Sequence, residues 1–306
     1  MDFGWLETFV AVARHGSLTA ATEARSLTQS GISRQLQRLE TEIGVRLVER
    51  GGRSVRLTPA GERFLAYAEA ALEQRQTIVR DLRGQGAVLS GRLRIAASST
   101  PGEFLVPELV AAFVKDHPGV CPEVMVTDSA MVEEEVRAHR WDVGFVGARL
   151  NQQGLVYRPV IDDEVVLAVP ADHPFAKRGS VALAELADQP FIAREGGSGT
   201  AASVERQLAA RGLRLPEQRR VMVLGSTQAI VSAVERGIGI GWVSSLALEE
   251  RRSARVATVR LERLPLNRVL SLVYDPQRAL HPAAAAFIAS TVGGESSRRD
   301  RSLERG

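Results

Sequence analysis

Cysteine is nearly absent, since Cys121 stands alone in a chain of 306 residues. One thiol excludes an intramolecular disulfide, a cysteine-cluster metal site and a two-cysteine redox switch. Flanked by Val120 and Pro122, it reads as a packing residue. Long apolar runs are also missing, and none approaches the roughly 18 residues a membrane span needs. The opening stretch MDFGWLETFVAVARHGS has no basic n-region and carries acids early, so it does not read as a secretory signal. The expected compartment is the cytoplasm, with no membrane partner. Lysine is scarce, with only Lys115 and Lys177, so nearly all positive charge is arginine. The five histidines (His15, His117, His139, His173 and His281) are scattered without metal-ligand spacing. No phosphate loop or nucleophile elbow occurs, and GIGIG at 237–241 precedes a strand pattern instead of following one. These absences leave no expected catalytic residue, metal or cofactor.

What is present is an ordinary globular composition, with 44% hydrophobic and 25% charged residues, at a length that favours two or three domains. The net charge is +3, but its distribution says more. Between Arg25 and Ala60 stand Arg25, Arg34, Arg38, Arg46, Arg50, Arg53 and Arg56 against Glu40, Glu42 and Glu49, an excess of about +4 in one short segment. A polyanion would reward that concentration.

The same segment is patterned as short helices. Trp5, Leu6, Phe9, Val10 and Val12 mark a first amphipathic helix ending near His15-Gly16. Ser17 can cap a second, LTAATEAR, whose alanines allow close helix packing. Thr28 can cap a third, LTQSGISRQLQRLE. There Ile32, Leu36 and Leu39 share an apolar face, opposite Gln29, Ser30, Ser33, Arg34, Gln37 and Arg38. Two helices joined by a short turn, the second with a polar face, describe a helix-turn-helix. VRLVERGGRSVRLT then alternates as a hairpin with Gly51-Gly52 at its tip, which would be a wing. After the capping pair Thr58-Pro59, Leu65, Ala68, Leu72, Arg75, Val79 and Leu82 step by three and four residues. This heptad-like seam suggests pairing with another chain, although an ordinary helix packed on its own protein is the alternative. Gly84, Gly86 and Gly91 follow as a hinge. From Arg92 on, strands and helices alternate for about 200 residues, implying parallel-rich sheets covered by helices. GEFLVPELVAAFVKDHPG reads as one helix of that region.

Taken in order, SLTAATEARSLTQSGISRQLQRLETEIGVRLVERGGRSVRLTPAG resembles the N-terminal signature of LysR-type transcriptional regulators. RLRIAASSTPGEFLVPELVAAFVKDHPGV, REGGSGT and LGSTQAIVSAVERGIGIGWVS resemble the effector domain of that family. The likeness spans about residues 1 to 293. It implies an N-terminal all-α winged helix-turn-helix, a long linker helix, and a C-terminal α/β periplasmic-binding-protein-like effector domain of two subdomains. The corresponding ranges are 1–58, 59–90 and 91–293, with lobe I at about 91–161 and 269–293 and lobe II at about 162–268. The tail 294–306 is polar, charged and expected to be disordered. The chain should cross between lobes near Asp162 and near Leu264 to Val269. Val48 departs from the family's aromatic at that position but still suits an apolar site. Ala201 replaces a frequent arginine and removes a cation from the effector region.

An α-helix fits the major groove and reads bases near its N-terminus. Gln29, Ser30, Ser33, Arg34 and Gln37 are the expected base contacts. Thr28, Arg38, Arg50, Arg53 and Arg56 are the expected phosphate contacts, with a helix cap as the alternative for Thr28 and a pair with Glu42 as the alternative for Arg38. In the effector domain, SST at 98–100, GGSGT at 196–200 and GST at 225–227 each follow a strand and begin a helix. Ligands of doubly wound sheets bind at such strand ends, and helix starts favour anions. Ser98, Ser99, Thr100, Gly147, Arg149, Arg194, Ser198, Thr200, Ser226 and Thr227 are the expected effector contacts, although each hydroxyl can also be read as a helix cap. Within the family the motifs look closest to regulators of carbon fixation and sulfur assimilation, whose ligands are small anions. Leu65, Ala68, Leu72, Val79 and Leu82 are the expected dimerisation residues. Double-stranded DNA, a small-molecule effector and further copies of the chain, as a dimer of dimers, are the implied partners, with RNA polymerase as a further class. A small-molecule-binding protein or an α/β enzyme without a DNA role is the alternative.

Overall fold

The computed structural model describes residues 1–51, 54–82, 89–151, 153–251 and 253–293. Arg53, Gly84, Gly86 and the tail 294–306 lie outside that set, as do the side chains of Arg50 and Leu82.

The chain opens with three helices, α1 (Phe3–His15), α2 (Leu18–Arg25) and α3 (Gln29–Ile43). Side chains cap each start: Asp2 accepts from Gly4 N, Ser17 from Ala20 N, and Thr28 from Gly31 N at 3.2 Å. Gly16 and Gly44 end α1 and α3 in the left-handed conformation that costs glycine little. The antiparallel pair β1 (Val48–Gly51) and β2 (Ser54–Leu57) forms the wing, and α4 (Pro59–Leu82) follows. Leu6, Phe9, Val12, Ile32, Leu36, Leu39, Leu47 and Val48 make the core of this unit. Val48 therefore fills an apolar site, as its chemistry suggested. Polar pins fix the angles between elements. Thr8 on α1 donates to Gln35 on α3, and the Glu40 carboxylate accepts from Leu47 N (2.7 Å) and Val48 N (3.1 Å), holding the wing to α3. Thr58 Oγ1 donates to Arg46 O and accepts from Gly61 N. Gly61 is obligatory for a separate reason, since a Cβ there would sit 2.0 Å from Leu47 O.

The seam on α4 divides between two faces. Ala68 is fully buried in the winged-helix core, and Leu65 and Leu72 pack against the same core. These three residues thus serve their own chain, because the helix must first cover α1. The outward stripe is shifted by one or two positions, to Tyr67 (49% exposed), Gln74 and Ile78 (52% exposed), with Val79 beside it.

The α/β part runs β3 (Ser90–Ser98), α5 (Ser99–Phe104), α6 (Val106–Asp116), β4 (Gly119–Thr127), α7 (Ser129–Arg137), β5 (Val143–Val146) and β6 (Val156–Pro170). It continues with α8 (Pro174–Arg178), β7 (Ser180–Val181), β8 (Pro190–Arg194), α9 (Gly199–Ala209), β9 (Arg219–Leu224) and α10 (Thr227–Glu235). It closes with β10 (Gly241–Ser244), α11 (Ser245–Arg251), β11 (Val256–Leu261), β12 (Asn267–Tyr274) and α12 (Pro282–Gly293). The single helix expected over 102–119 is two helices that break at Leu105. Pro107 cannot donate its backbone nitrogen into a continuing helix and instead sits in the first turn of α6.

In lobe I, β3 lies parallel between β4 and β5, and β12 and the first half of β6 extend the sheet antiparallel. In lobe II, the second half of β6 pairs with β10 and β11, while β8 and β9 form a parallel pair beside them. β6 and β12 are shared, and Asp162 faces Val269 where they pass from one lobe to the other. Each lobe has its own apolar centre, around Ile95, Phe113, Phe145 and Phe287 in lobe I and around Leu167, Leu208 and Trp242 in lobe II. At the foot of lobe I the buried Asp142 carboxylate takes Arg278, Arg94 and His281 as partners. Burial alone would raise its pKa; the hydrogen bond to His281 and the charges of Arg278, His281 and Arg94 more than offset this and hold it below the ordinary 3.8. Cys121, read from sequence as a packing residue, is exposed instead, because β4 is the edge strand of its sheet. Among the described residues no helix is long and apolar enough to cross a membrane.

Candidate functional site

The polar face of α3 is open to solvent. Gln29, Ser30, Arg34, Gln37 and Arg38 are exposed and Ser33 is half-buried, while Ile32, Leu36 and Leu39 are fully buried beneath them. Thr28 spends its hydroxyl on the helix start and lies 3.1 Å from Ser30 Oγ, so its capping role is the one in evidence. Glu42 does not hold Arg38; its carboxylate pairs with the chain's amino terminus at 2.6 Å. Arg34 and Arg38 make no ion pair with any described residue, which leaves both guanidiniums available to an outside acceptor. Arg56 is exposed on β2, in register with Glu49 on the wing.

The second site lies between the lobes. Strand β3 ends at Ser98, and α5 begins with Ser99 and Thr100; α9 and α10 bring Thr200 and Thr227 from the other lobe. Thr227 Oγ1 lies 3.4 Å from Ser99 Oγ and 3.2 Å from Thr100 Oγ1, so hydroxyls of the two lobes meet directly. Two guanidiniums fill the space among them. Arg194, at the end of β8, has a side chain only 4% exposed and donates to Ser99 Oγ at 2.8 Å, with Thr200 and Thr227 at 3.4 Å. Arg268, on β12, donates to Thr200 Oγ1 at 2.9 Å and Thr100 Oγ1 at 3.3 Å, and pairs with the buried Asp163 of β6 at 2.6 Å. The remaining lining includes Ser98, Asp128, Ser129, Gly147 and Ser198, and the space left is about 10 Å³, the share of one water centre. Ser129 Oγ and Ser198 Oγ are buried there without a hydrogen-bond partner, which leaves two unused polar groups on the wall.

Ser98, Ser99, Thr100, Gly147, Arg194, Ser198, Thr200 and Thr227 are therefore brought together. Two expected members are not. Arg149 is exposed and stacks on the Tyr157 ring at 5.3 Å, because the loop after Gly147 turns outward and is clamped by Glu133 through Leu150 N and Asn151 N. Ser226 caps α10 through Ala229 N and donates to Glu103 Oε1, so it faces a separate groove of about 600 Å³ between α5 and α10–α11. Burial raises the pKa of Glu103, and its bonds from Ser226 and Gln228 N only partly offset that. Asp128 and Ser129 were not expected either, but the main omission of the sequence reading is Arg268. Its signal was present: in NRVLSLVY it shares the inward face with Leu270 and Leu272, a charged residue where alternation demands an apolar one. Gly147, expected as an effector contact, stands against this arginine. A Cβ there would lie 2.9 Å from Arg268 Nη1, so this glycine makes room for the arginine.

Chemically, paired guanidiniums ringed by hydroxyls suit a carboxylate, phosphate or sulfate group, because the forked donors match two acceptor oxygens at once. Comparison with known proteins places both sites in a family. Residues 3–62 match the bacterial regulatory helix-turn-helix protein family of lysR type, and residues 86–293 match the LysR substrate binding domain. The RuBisCO operon transcriptional regulator of Allochromatium vinosum is 35% identical over 286 residues, covering 92% of each chain. A full-length OxyR variant from Pseudomonas aeruginosa superposes with a TM-score of 0.71 at 22% identity, covering 95% of this chain and 94% of the other. The regulatory domain of Synechocystis CcmR in complex with 2-PG gives a TM-score of 0.61 at 25% identity, covering 67% of this chain and 98% of that one. With a helix-turn-helix at one end and a substrate-binding domain over the rest, the chain belongs to the LysR family: it is a DNA-binding transcriptional regulator with an effector-binding domain, and not an enzyme.

Proposed function

We propose that this regulator binds a small anion in the cleft between its lobes and that the anion alters how the winged helices engage DNA. The observation that carries the reading is the pair of buried guanidiniums, Arg194 and Arg268, set among hydroxyls from both lobes beside two buried serine oxygens with no partner. Strands β6 and β12 join the lobes at one edge, so a ligand held by Ser99 and Thr100 on one side and Thr200 and Thr227 on the other couples lobe closure to occupancy. The complex of the CcmR regulatory domain with 2-PG supports the ligand class by similarity.

On the DNA side, Gln29, Ser30, Ser33, Arg34 and Gln37 contact bases, and Arg38 and Arg56 contact phosphates, with Arg50 and Arg53 added from the sequence reading alone. The assignments follow from exposure on α3 and, for Arg34 and Arg38, from the lack of an ion pair with any described residue. A second copy packs on the groove of about 400 Å³ between α1 and α4, where Phe3, Tyr67, Ala71, Gln74, Ile78 and Val79 meet. A dimer of dimers is the assembly the family resemblance implies. The division into residues 1–58, 59–90 and 91–293 is the working domain map.

Calorimetric titration with 2-PG tests the effector reading. Wild-type protein should bind it, and Arg268→Ala and Arg194→Ala should each lose at least about tenfold in affinity. Unchanged affinity in both variants would refute the cleft as the anion site.

A further inference from the structure

We propose that Glu195 is the chain's own competitor for the effector anion: its carboxylate occupies the Arg194 fork, and an incoming anion binds by displacing it. This rests on the anion reading of the cleft. Each of the two buried arginines already carries a carboxylate. Arg268 holds Asp163, and Arg194 holds Glu195 through both Nε to Oε2 (3.1 Å) and Nη2 to Oε1 (2.9 Å). With both pairs intact the guanidiniums are neutralised, and the cleft offers an anion only hydroxyls and helix starts.

The two carboxylates differ in what releasing them would cost. Asp163 is fully buried, and its second oxygen accepts from Ser244 Oγ, itself buried at the end of β10. Freeing it would strand a charge in the interior, which costs several kcal/mol. Glu195 follows Arg194 directly, in the loop after β8, and its side chain is 24% exposed. Its carboxylate has no described donor besides Arg194, and next to it is Gly225, where even an added Cβ would come no nearer than 3.8 Å. It can swing into water and be solvated. Departure of Glu195 uncovers the Nε and Nη2 edge of Arg194, a two-donor fork of the kind that binds carboxylate or phosphate oxygens bidentately. One Nη2 hydrogen stays on Ser99 Oγ at 2.8 Å, and Nη1 lies near Thr200 and Thr227, so the guanidinium stays anchored while the carboxylate leaves the other Nη2 hydrogen and Nε. Glu195 therefore sets a threshold that an effector must exceed, and it keeps the cleft closed to weak anions.

The test is the sign of one change. Full-length Glu195→Gln, titrated calorimetrically with inorganic sulfate and with 2-PG, should bind both more tightly than wild type by about tenfold. Asp116→Asn, an exposed site at the end of α6 that removes the same charge, should match wild type and exclude a net-charge effect. A positioning role for Glu195 would instead loosen Arg194 and weaken binding. Equal or weaker binding by Glu195→Gln, with Arg194→Ala still losing affinity, overturns the competitor and leaves the anion site standing. Absence of anion binding in wild type and variants alike overturns both.

Discussion

At the scale of single residues, the two ends of the chain use arginine in opposite ways. Arg34 and Arg38 are exposed on α3 without an ion-pair partner among the described residues, whereas Arg194 and Arg268 are buried and each is matched by a carboxylate. Exposed guanidiniums are available to a duplex, and buried ones are pre-oriented for a small ligand. In the proposed reading Arg34 is the base reader of the two, because it lies one turn nearer the start of α3, the end of a recognition helix that reaches base edges. Arg34→Ala should lower affinity for a specific operator by about 1–3 kcal/mol in a gel-shift series and leave affinity for random duplex nearly unchanged. Equal losses on both duplexes would move Arg34 to the phosphate class. What the sequence did not disclose at this scale were pairings over long separations. Arg268 and Asp163 stand 105 positions apart, and only the register of β6 against β12 makes them partners. Arg149 was over-read for the converse reason, since sequence proximity to Gly147 says nothing about which way a loop turns.

At the scale of elements, most helices and strands were legible because caps, glycines and periodicity agree with one another, whereas α8, β7, α11 and β11 were not read. The limits of that reading are seen in α4. Periods of three and four locate an apolar stripe but do not say whether it faces the chain's own core or a partner. Ala68 and its neighbours satisfy the winged-helix core, and the face left over carries Tyr67 and Ile78. Burying a side chain the size of isoleucine contributes about 1.5–3 kcal/mol, and a twofold contact counts each such residue twice. Ile78→Asp should shift the chain toward monomer by light scattering and weaken operator binding, without loss of the helical signal. An unchanged dimer would place the interface elsewhere.

At the scale of the whole molecule, two lobes joined by shared strands carry a sensor, and the helical unit carries the output. The sensor's stability depends on pH through Asp142. Its carboxyl ionises below the ordinary 3.8 when folded, so the unfolded chain takes up the proton first as pH falls. The stabilisation is complete above that value and drains away as pH drops through the folded pKa. Thermal melts of wild type should fall steeply below about pH 4, while Asp142→Asn should start lower at neutral pH and decline less; parallel curves would show that the network is not responsible. An anion in the cleft is proposed to change DNA binding. The most direct test is the midpoint of fluorescence anisotropy on a duplex selected by this protein from a random library, with and without saturating 2-PG. A shift of about 5–150-fold in wild type that vanishes in Arg194→Ala is the predicted result. Identical midpoints with and without the anion, in a protein that binds the anion, would contradict it.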